Sequence, residues 1–367
     1  MSKVMCVLHV GPGFGQRGGV ASVLNELRAE RVVFEENAIR IEFFETRGFK
    51  STKDRLLFLA LDMPRFFMRV LNGVDVIHFH VSARGSALRN LLLYRLTRML
   101  GRKVIFHWHS NNLPDCIEQA SGFVKSGLRD FIKASNDAIG VSTAMAADIR
   151  RFRSGASVRV IGNSARTAER IASLGVAKAM SARNLPSYVA FSGSFTEEKG
   201  LPELFAAIAI LKQKRQQINV KLAGTGETDQ WVELVRKLDI EDRISFVGWL
   251  SGNELMNFYR DASALCLPSH GESFGIVTLE AMLCGLAVIG TKTGGFFDLV
   301  KESETGFLVD AGNIEQLAGA LEAVWSDPGM AWRMGEAGRL YALERYSVKS
   351  VCAEYVRCYR ELRLQPN

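Results

Sequence analysis

Short apolar runs alternate with amphipathic stretches twice over along this chain, and that alternation admits few folds. Val4 to Val10 is almost continuously apolar and stops at Gly11, as expected of a strand buried on both faces and followed by a tight turn. Gly11 to Gly19 reads as that turn, and Val20 to Arg28 has helical spacing. Strand-like segments then recur at 39–45, 75–80, 103–109, 138–141 and 158–161, with helical patterns at 55–71 and 87–100 between them. A polar stretch, 164–186, ends at Pro186 and reads as a linker. A second series follows, with strands expected at 188–192, 219–223, 244–247, 264–267 and 287–290 and helices at 201–214, 230–238, 252–260 and 276–284. Strands that take turns with helices imply parallel α/β sheets. Two such series in 367 residues imply two Rossmann-like domains, with the cleft between them as the default ligand site.

Composition narrows the class. No apolar run approaches the ~18 residues of a membrane span, and the first residues lack the cleavage pattern of a signal peptide. The six cysteines form no C-x-x-C pair, so neither a zinc site nor a disulfide framework is expected, and the chain reads as a reduced, cytoplasmic protein. The net charge of +7 is unevenly spread. Residues 1–150 carry 21 Lys and Arg against 14 Asp and Glu, whereas residues 151–367 carry 25 against 25. An anionic partner for the first part, or simply a basic solvated surface, accounts for the surplus. Nucleic acid is not expected, because no RRM, KH or zinc-finger pattern accompanies the charge.

Several motifs bear on chemistry. Gly13-Phe-Gly-Gln-Arg-Gly18 fits G-x-G-x-x-G, but Gly11 and Pro12 intervene after the expected strand, and Glu45 lies 32 residues beyond Gly13. A flexible turn and a glycine loop approaching a diphosphate both remain open. Walker A and D-x-D patterns are absent, which argues against metal-dependent sugar-nucleotide chemistry of the other common fold type. The richest stretch is 264–312. It sets Glu272 on a loop and Glu280 on the following helix, about two turns apart. Between them Phe274, Gly275 and Ile276 offer backbone N–H groups at a positive helix end, suited to a phosphate. Two solvated glutamates are the plainer alternative, though Glu280 sits among Leu279, Ala281, Met282 and Leu283, where an unpaired charge is costly. Lys199, just before Gly200 at a helix start, is either a solvated loop charge or an anion ligand. His109 is either a satisfied strand-end histidine or a ligand of the cleft. Within the pairs His78/His80 and His107/His109 the two rings are expected on opposite sides of the strand, so that only one of each pair reaches the active face; His80 is expected to be structural or acceptor-side.

Taken together, Pro268-Ser-His-Gly-Glu-Ser-Phe-Gly275, Leu279-Glu-Ala-Met282, Gly285 and Gly294-Gly295 resemble the E-x7-E block of the retaining nucleotide-sugar glycosyltransferases of family 4, which have the GT-B fold. Ser192-Gly-Ser-Phe-Thr-Glu-Glu-Lys-Gly200, Leu222–Gly226, Phe246–Gly248, Gly18-Gly19, His107-Trp-His109 and Val141-Ser142 extend the likeness. It is strong over 188–320 and loose before 165. The resemblance implies a metal-independent, retaining hexosyltransferase, without a cofactor, whose co-substrate is a nucleotide-diphosphate sugar held in a central cleft between two facing domains. It assigns Glu272 to the donor sugar, Glu280 to the ribose, Lys199 to the diphosphate and His109 to the sugar from the first domain. Gly18 and Gly19 would admit the phosphate and acceptor, and Phe274, Gly275 and Ile276 would hold the phosphate. The family usually has Arg where this chain has Ser194, so one phosphate cation is missing or replaced, with Arg17 a candidate.

The implied domains are an acceptor-side unit at 1–163, a linker at 164–186, a donor-binding unit at 187–346, and a helix at 347–367 crossing back to the first domain. The implied acceptor is a lipid-linked or growing glycan of bacterial polysaccharide or glycolipid synthesis. A nucleotide-sugar epimerase or phosphorylase of the same fold is the alternative. The helix at 55–71 mixes Arg with Leu, Phe and Met, and Pro64 is expected to kink or divide it. It reads either as a core helix with exposed Arg or as a segment lying at an anionic membrane surface on the inner face.

Overall fold

The structure is a computed structural model and describes residues 4–16, 18–49, 51–83, 85–153, 155, 157–165 and 188–365. Arg17 and all but the first two positions of the expected linker, 166–186, lie outside the described residues. The chain divides into two units, one made of residues up to Ser164 together with Val348 onward, the other running from Ala165 to Ser347.

The first unit is built on a six-stranded sheet in the order β2-β1-β3-β4-β5-β6, every neighbouring pair parallel. Its strands are β1 (Met5–Pro12), β2 (Ile39–Thr46), β3 (Val76–Val81), β4 (Lys103–Trp108), β5 (Asp137–Gly140) and β6 (Val158–Val160). All six residues of β3 are buried, whereas the edge strands β2 and β6 expose part of their length. Continuous apolar sequence follows from having helices on both faces of a parallel sheet. The helix Val348–Leu364 supplies part of that cover and buries Val351, Cys352, Tyr355, Cys358, Tyr359 and Leu362. Lys103 Nζ donates to the carbonyl of Leu362 at 3.0 Å, tying this helix to β4.

The second unit has the order β12-β11-β10-β7-β8-β9, again wholly parallel. The strands are β7 (Val189–Ser194), β8 (Val220–Thr225), β9 (Ile244–Gly248), β10 (Ala264–Cys266), β11 (Ala287–Thr291) and β12 (Gly306–Val309). Counted from β7 this is the 3-2-1-4-5-6 arrangement of dinucleotide-binding sheets, and the strand order reverses between β7 and β10. In the first unit the reversal falls between β1 and β3. Both units are therefore Rossmann-like, and each places a crevice beyond the carboxyl ends of its two switch-point strands.

Three local expectations change. β1 does not stop at Val10 but continues through Pro12, because β2 pairs with it as far as Thr46 and the Thr46 hydroxyl donates to the Gly11 carbonyl at 2.8 Å. Gly13 thus follows the strand directly. The edge strand β12 is an addition to the expected set; four residues of mixed burial give no periodic signal. The 55–71 helix starts earlier, at Thr52, where Ser51 and Asp54 form a capping box. Pro64 does not break it. A π-helical turn, Phe58–Asp62, closes with Met63 N–H on the Phe58 carbonyl, and Met63–Leu71 continues with Pro64 in its first turn, where no N–H is needed.

Candidate functional site

In the second unit Ser194 ends β7, and the loops leaving β7 and β10 emerge side by side at the switch point carrying Lys199 and Glu272. After β7 the chain makes a 3₁₀ turn, Glu197–Lys199, and reverses at Gly200 into the helix Leu201–Gln213. Gly200 has φ 74°, and a Cβ there would lie 2.1 Å from the carbonyl oxygen of Pro268. The two loops are therefore packed backbone to backbone, and the His270 N–H donates to the Glu198 carbonyl at 2.9 Å. This contact brings Lys199 Nζ to 2.7 Å from Glu272 Oε2, with 24% and 14% of the two side chains exposed. The pair is thus shielded on most sides yet open to a ligand.

Glu272 is held from below as well. The Gly295 N–H donates to the Glu272 carbonyl at 2.8 Å, and a Cβ on Gly294, at φ 49°, would stand 1.7 Å from that oxygen. Only a residue without a side chain allows this approach. Three residues on, Gly275 caps the helix Ile276–Leu283. The amides of Ile276, Val277 and Thr278 have no carbonyl four residues back within the helix, so they point out at its positive end. The Phe274 ring turns the other way, 1% exposed and edge-on to Tyr346 at 5.4 Å, so it anchors the loop and leaves only its backbone for a ligand. Glu280 lies one turn inside the helix, and its charge, after burial, is a further cause that pushes the Tyr259 hydroxyl up. Ser194, exposed at the end of β7, carries no cation to the switch point.

In the first unit, Gly18 caps the helix Gly19–Ala29 without a side-chain hydrogen bond and with no acidic residue in the first turn. The amides of Gly19, Val20 and Ala21 are left at a positive helix end beside β1. Glu45, the last acid of β2, turns to the glycine loop. Its Oε2 accepts from the Phe14 amide at 3.1 Å and so fastens the glycine loop. A groove of about 510 Å³ opens beyond β3 and β4, with Ala83, Leu88, Asn111, Asn112, Asp115 and Gln119 among its lining residues.

The expected opposition of the strand histidines is overturned. Residues two apart on a strand share a face, and five of the six histidines in the chain point to the same side of this sheet. His9 is in register with His78, and His80 with His107. His78 and His80 stack at 4.6 Å between ring centroids, inclined by 6°. His109 closes the row just beyond β4, its N–H on the Val81 carbonyl at 2.9 Å. Burial pushes His9 and His109 down to about 3 and lowers His78, His80 and His107 well below the ordinary histidine range. These rings are neutral near pH 7. Sequence reasoning singled out His109 but missed His9 and Tyr359; the signal was the i, i+2 spacing of histidines on adjacent strands. Two groups, His9 with His78 and His80, and His80 with His107 and His109, have ring nitrogens close enough together to hold a metal ion.

The second unit is the part of the chain that most resembles known proteins. Residues 178–341 match the family model of glycosyl transferases group 1. The matched segment contains Ser194, the Lys199–Glu272 pair, the Gly275-capped helix and the Gly294–Gly295 cradle. A D-inositol 3-phosphate glycosyltransferase of Pseudarthrobacter chlorophenolicus is 33% identical over 160 residues, 42% of this chain and 38% of that protein. A glycogen synthase of Mycobacterium tuberculosis is 29% identical over 178 residues, 48% of this chain and 43% of that one. The aligned segments thus span about two fifths of these relatives. Among solved structures, sucrose-phosphate synthase from Thermosynechococcus elongatus superposes with a TM-score of 0.72 at 19% identity, covering 98% of this chain and 99% of that one. Anabaena HepE, solved with UDP and glucose, gives 0.71 at 19% identity, covering 97% and 100%. The chain has the GT-B fold of two Rossmann-like domains. Among the described residues no helix is long and apolar enough to cross a membrane.

Proposed function

We propose that this protein is a metal-independent, retaining glycosyltransferase of family 4 that moves a sugar from a nucleotide-diphosphate donor to a hydroxyl acceptor. The observation that carries the reading is the Lys199–Glu272 pair at the switch point of the second sheet, beside the open helix end at Ile276. A diphosphate needs fixed positive charge, which Lys199 and the amides of Ile276, Val277 and Thr278 supply without a metal. Glu272 then meets the sugar whose carbon becomes oxocarbenium-like as the bond to the diphosphate breaks. Glu280, set deeper along the helix, takes the ribose hydroxyls. Preorganised charge and positioning carry the rate, and the departing phosphate oxygen takes the acceptor proton. The match over residues 178–341 and the resemblance to HepE support a nucleotide-sugar donor.

On the first unit, we assign the open helix end at Gly19 to phosphate and acceptor, His109 to the sugar, and the groove beyond β3 and β4 to the acceptor. Its mixture of apolar wall with Asn111, Asn112 and Asp115 suits a glycan on a lipid carrier. The helical segment 52–71 supports a membrane-side acceptor. It buries Phe58, Asp62, Phe66 and Val70 and exposes Leu56, Leu59, Leu61, Phe67, Met68 and Leu71 beside Arg55 and Arg65. The +7 surplus of residues 1–150 would then face anionic lipid or a phosphate-bearing acceptor.

The test is a thermal-shift panel of nucleotide diphosphates and nucleotide sugars, followed by transfer assays with the donor that binds. A ligand at 100 times its Kd should stabilise the protein by about 2.7 kcal/mol. Failure of every nucleotide diphosphate to shift the transition would sink the donor site. Release or epimerisation of the sugar without any acceptor would replace transfer by the alternative chemistry.

A further inference from the structure

The five buried histidines of the first sheet are joined, with one tyrosine, into a single unbranched chain of hydrogen bonds. His109 Nε2 lies 2.9 Å from His80 Nδ1, and His80 Nε2 lies 2.9 Å from His9 Nδ1. His9 Nε2 lies 3.1 Å from the Tyr359 hydroxyl, which lies 2.8 Å from His78 Nδ1. His78 Nε2 lies 3.1 Å from His107 Nδ1, and there the chain ends, since His107 Nε2 is buried with no partner among the described residues. Each of the four inner groups uses one atom or nitrogen towards each neighbour, and His109, 9% exposed, is the end that reaches the surface.

A neutral imidazole carries one N–H and one lone pair. Each link needs one donor and one acceptor, so the choice made at any ring fixes all the others. With the Tyr359 hydroxyl donating to one ring and accepting from the other, following the contacts gives two solutions; a hydroxyl that accepted from both would leave its own buried proton without an acceptor among the described residues. In one, all five rings carry hydrogen on Nδ1 and the protons point towards His109; in the other, all five carry it on Nε2 and point towards His107. The second leaves an N–H of His107 buried without an acceptor, and orphaned buried N–H groups are rarer than unfilled lone pairs. A charged ring would donate to both sides and so add a donor for which the buried chain holds no acceptor among the described residues.

We propose that this histidine–tyrosine chain fixes His109 as the Nδ1–H tautomer, so that His109 presents a hydrogen-bond donor at the mouth of the first unit, and that Tyr359 is the positioning residue that holds the chain in that polarity. The Tyr359 hydroxyl joins the row of His9, His80 and His109 to the pair His78 and His107. Without it the two parts choose their tautomers independently. An Nδ1–H at His109 suits an acceptor atom, a sugar hydroxyl oxygen or a phosphate oxygen, and not a hydroxyl proton. The last clause rests on the reading of His109 as a donor-sugar contact; the tautomer does not.

Long-range ¹H–¹⁵N spectra of the full chain labelled at histidine decide the matter, with His270, outside the chain, as the internal reference and single His→Gln variants for assignment. Five rings sharing the Nδ1–H pattern are expected. A mixture of tautomers among the five would overturn the chain, and five Nε2–H rings would overturn its polarity. Tyr359→Phe should turn His109 into a tautomer mixture while His270 stays unchanged; a His109 signal unmoved by the loss of the hydroxyl would remove the positioning role. In transfer assays Tyr359→Phe should lower kcat/KM about tenfold alone but less than twofold in the His109→Ala background, as expected of coupled residues. Equal losses in both backgrounds would assign Tyr359 a merely structural part. If His109→Ala itself transfers at the normal rate, the donor-contact reading fails, and the spectra still test the chain.

Discussion

Lys199 and Glu272, 73 residues apart, meet at 2.7 Å because the carbonyl of Pro268 occupies the space a side chain on Gly200 would need. The ion pair is thus a product of two loops pressed together, and the proposed function gives its two charges to the diphosphate and the sugar. Glu272→Ala and Lys199→Ala should each lower turnover at least 100-fold, roughly 2.7 kcal/mol of barrier, with unfolding transitions close to the parent's. Rates within a few fold of the parent for either variant would remove that residue from the chemistry.

The glycine cradle should be as sensitive as the charges it supports. Gly294→Ala places a side chain at a left-handed φ of 49° and against the Glu272 carbonyl. The cost should be roughly 2 kcal/mol or more, read as a lower melting temperature, together with a loss of transfer. An unshifted melting curve would mean that the Glu272 loop is free to move away.

Acid should unfold this protein early. His9 and His109 are held at about 3 in the fold against 6.5 for the unfolded chain. Between those values the unfolded state binds protons that the native state refuses, so stability is complete above pH 6.5 and falls as the pH drops towards 3. Near pH 5 these two rings alone should give a slope of roughly 2.7 kcal/mol per pH unit, and the other three buried rings act in the same direction. Urea titrations at pH 7, 6 and 5 measure it; a midpoint constant over that range would contradict the neutral cluster.

The exposed apolar face of residues 52–71 should bind anionic vesicles weakly and in a salt-sensitive manner. Flotation with and without anionic lipid tests this, and Leu59→Glu with Met68→Glu should abolish it without lowering the melting temperature, since both side chains are solvated. Binding indifferent to salt and to these changes would leave the face without a membrane role.

The two series of strands and helices were legible because central parallel strands, buried on both faces, must be apolar throughout, as Val76–Val81 largely is. The Glu272 region was legible for a different reason: its chemistry is local, with loop, cap and helix within twelve residues. Two things were not. The end of β1 depends on how far β2 runs alongside it, which no local pattern encodes. The histidine row depends on register between strands, His9 with His78 and His80 with His107, and on Tyr359 arriving from the other end of the sequence. Misjudging which face His107 and His109 share hid it further.

That arrival has a consequence for how the protein is made. The first sheet is complete in sequence by Ser164, but the helix bearing Tyr355 and Tyr359 begins only at Val348. At ordinary rates of synthesis the nascent sheet waits on the order of ten to forty seconds for its cover. Throughout that interval His9, His78 and His107, which pack against Tyr355 and Tyr359 in the finished molecule, lack that cover, and the row has no hydroxyl to join its two parts until the last helix docks.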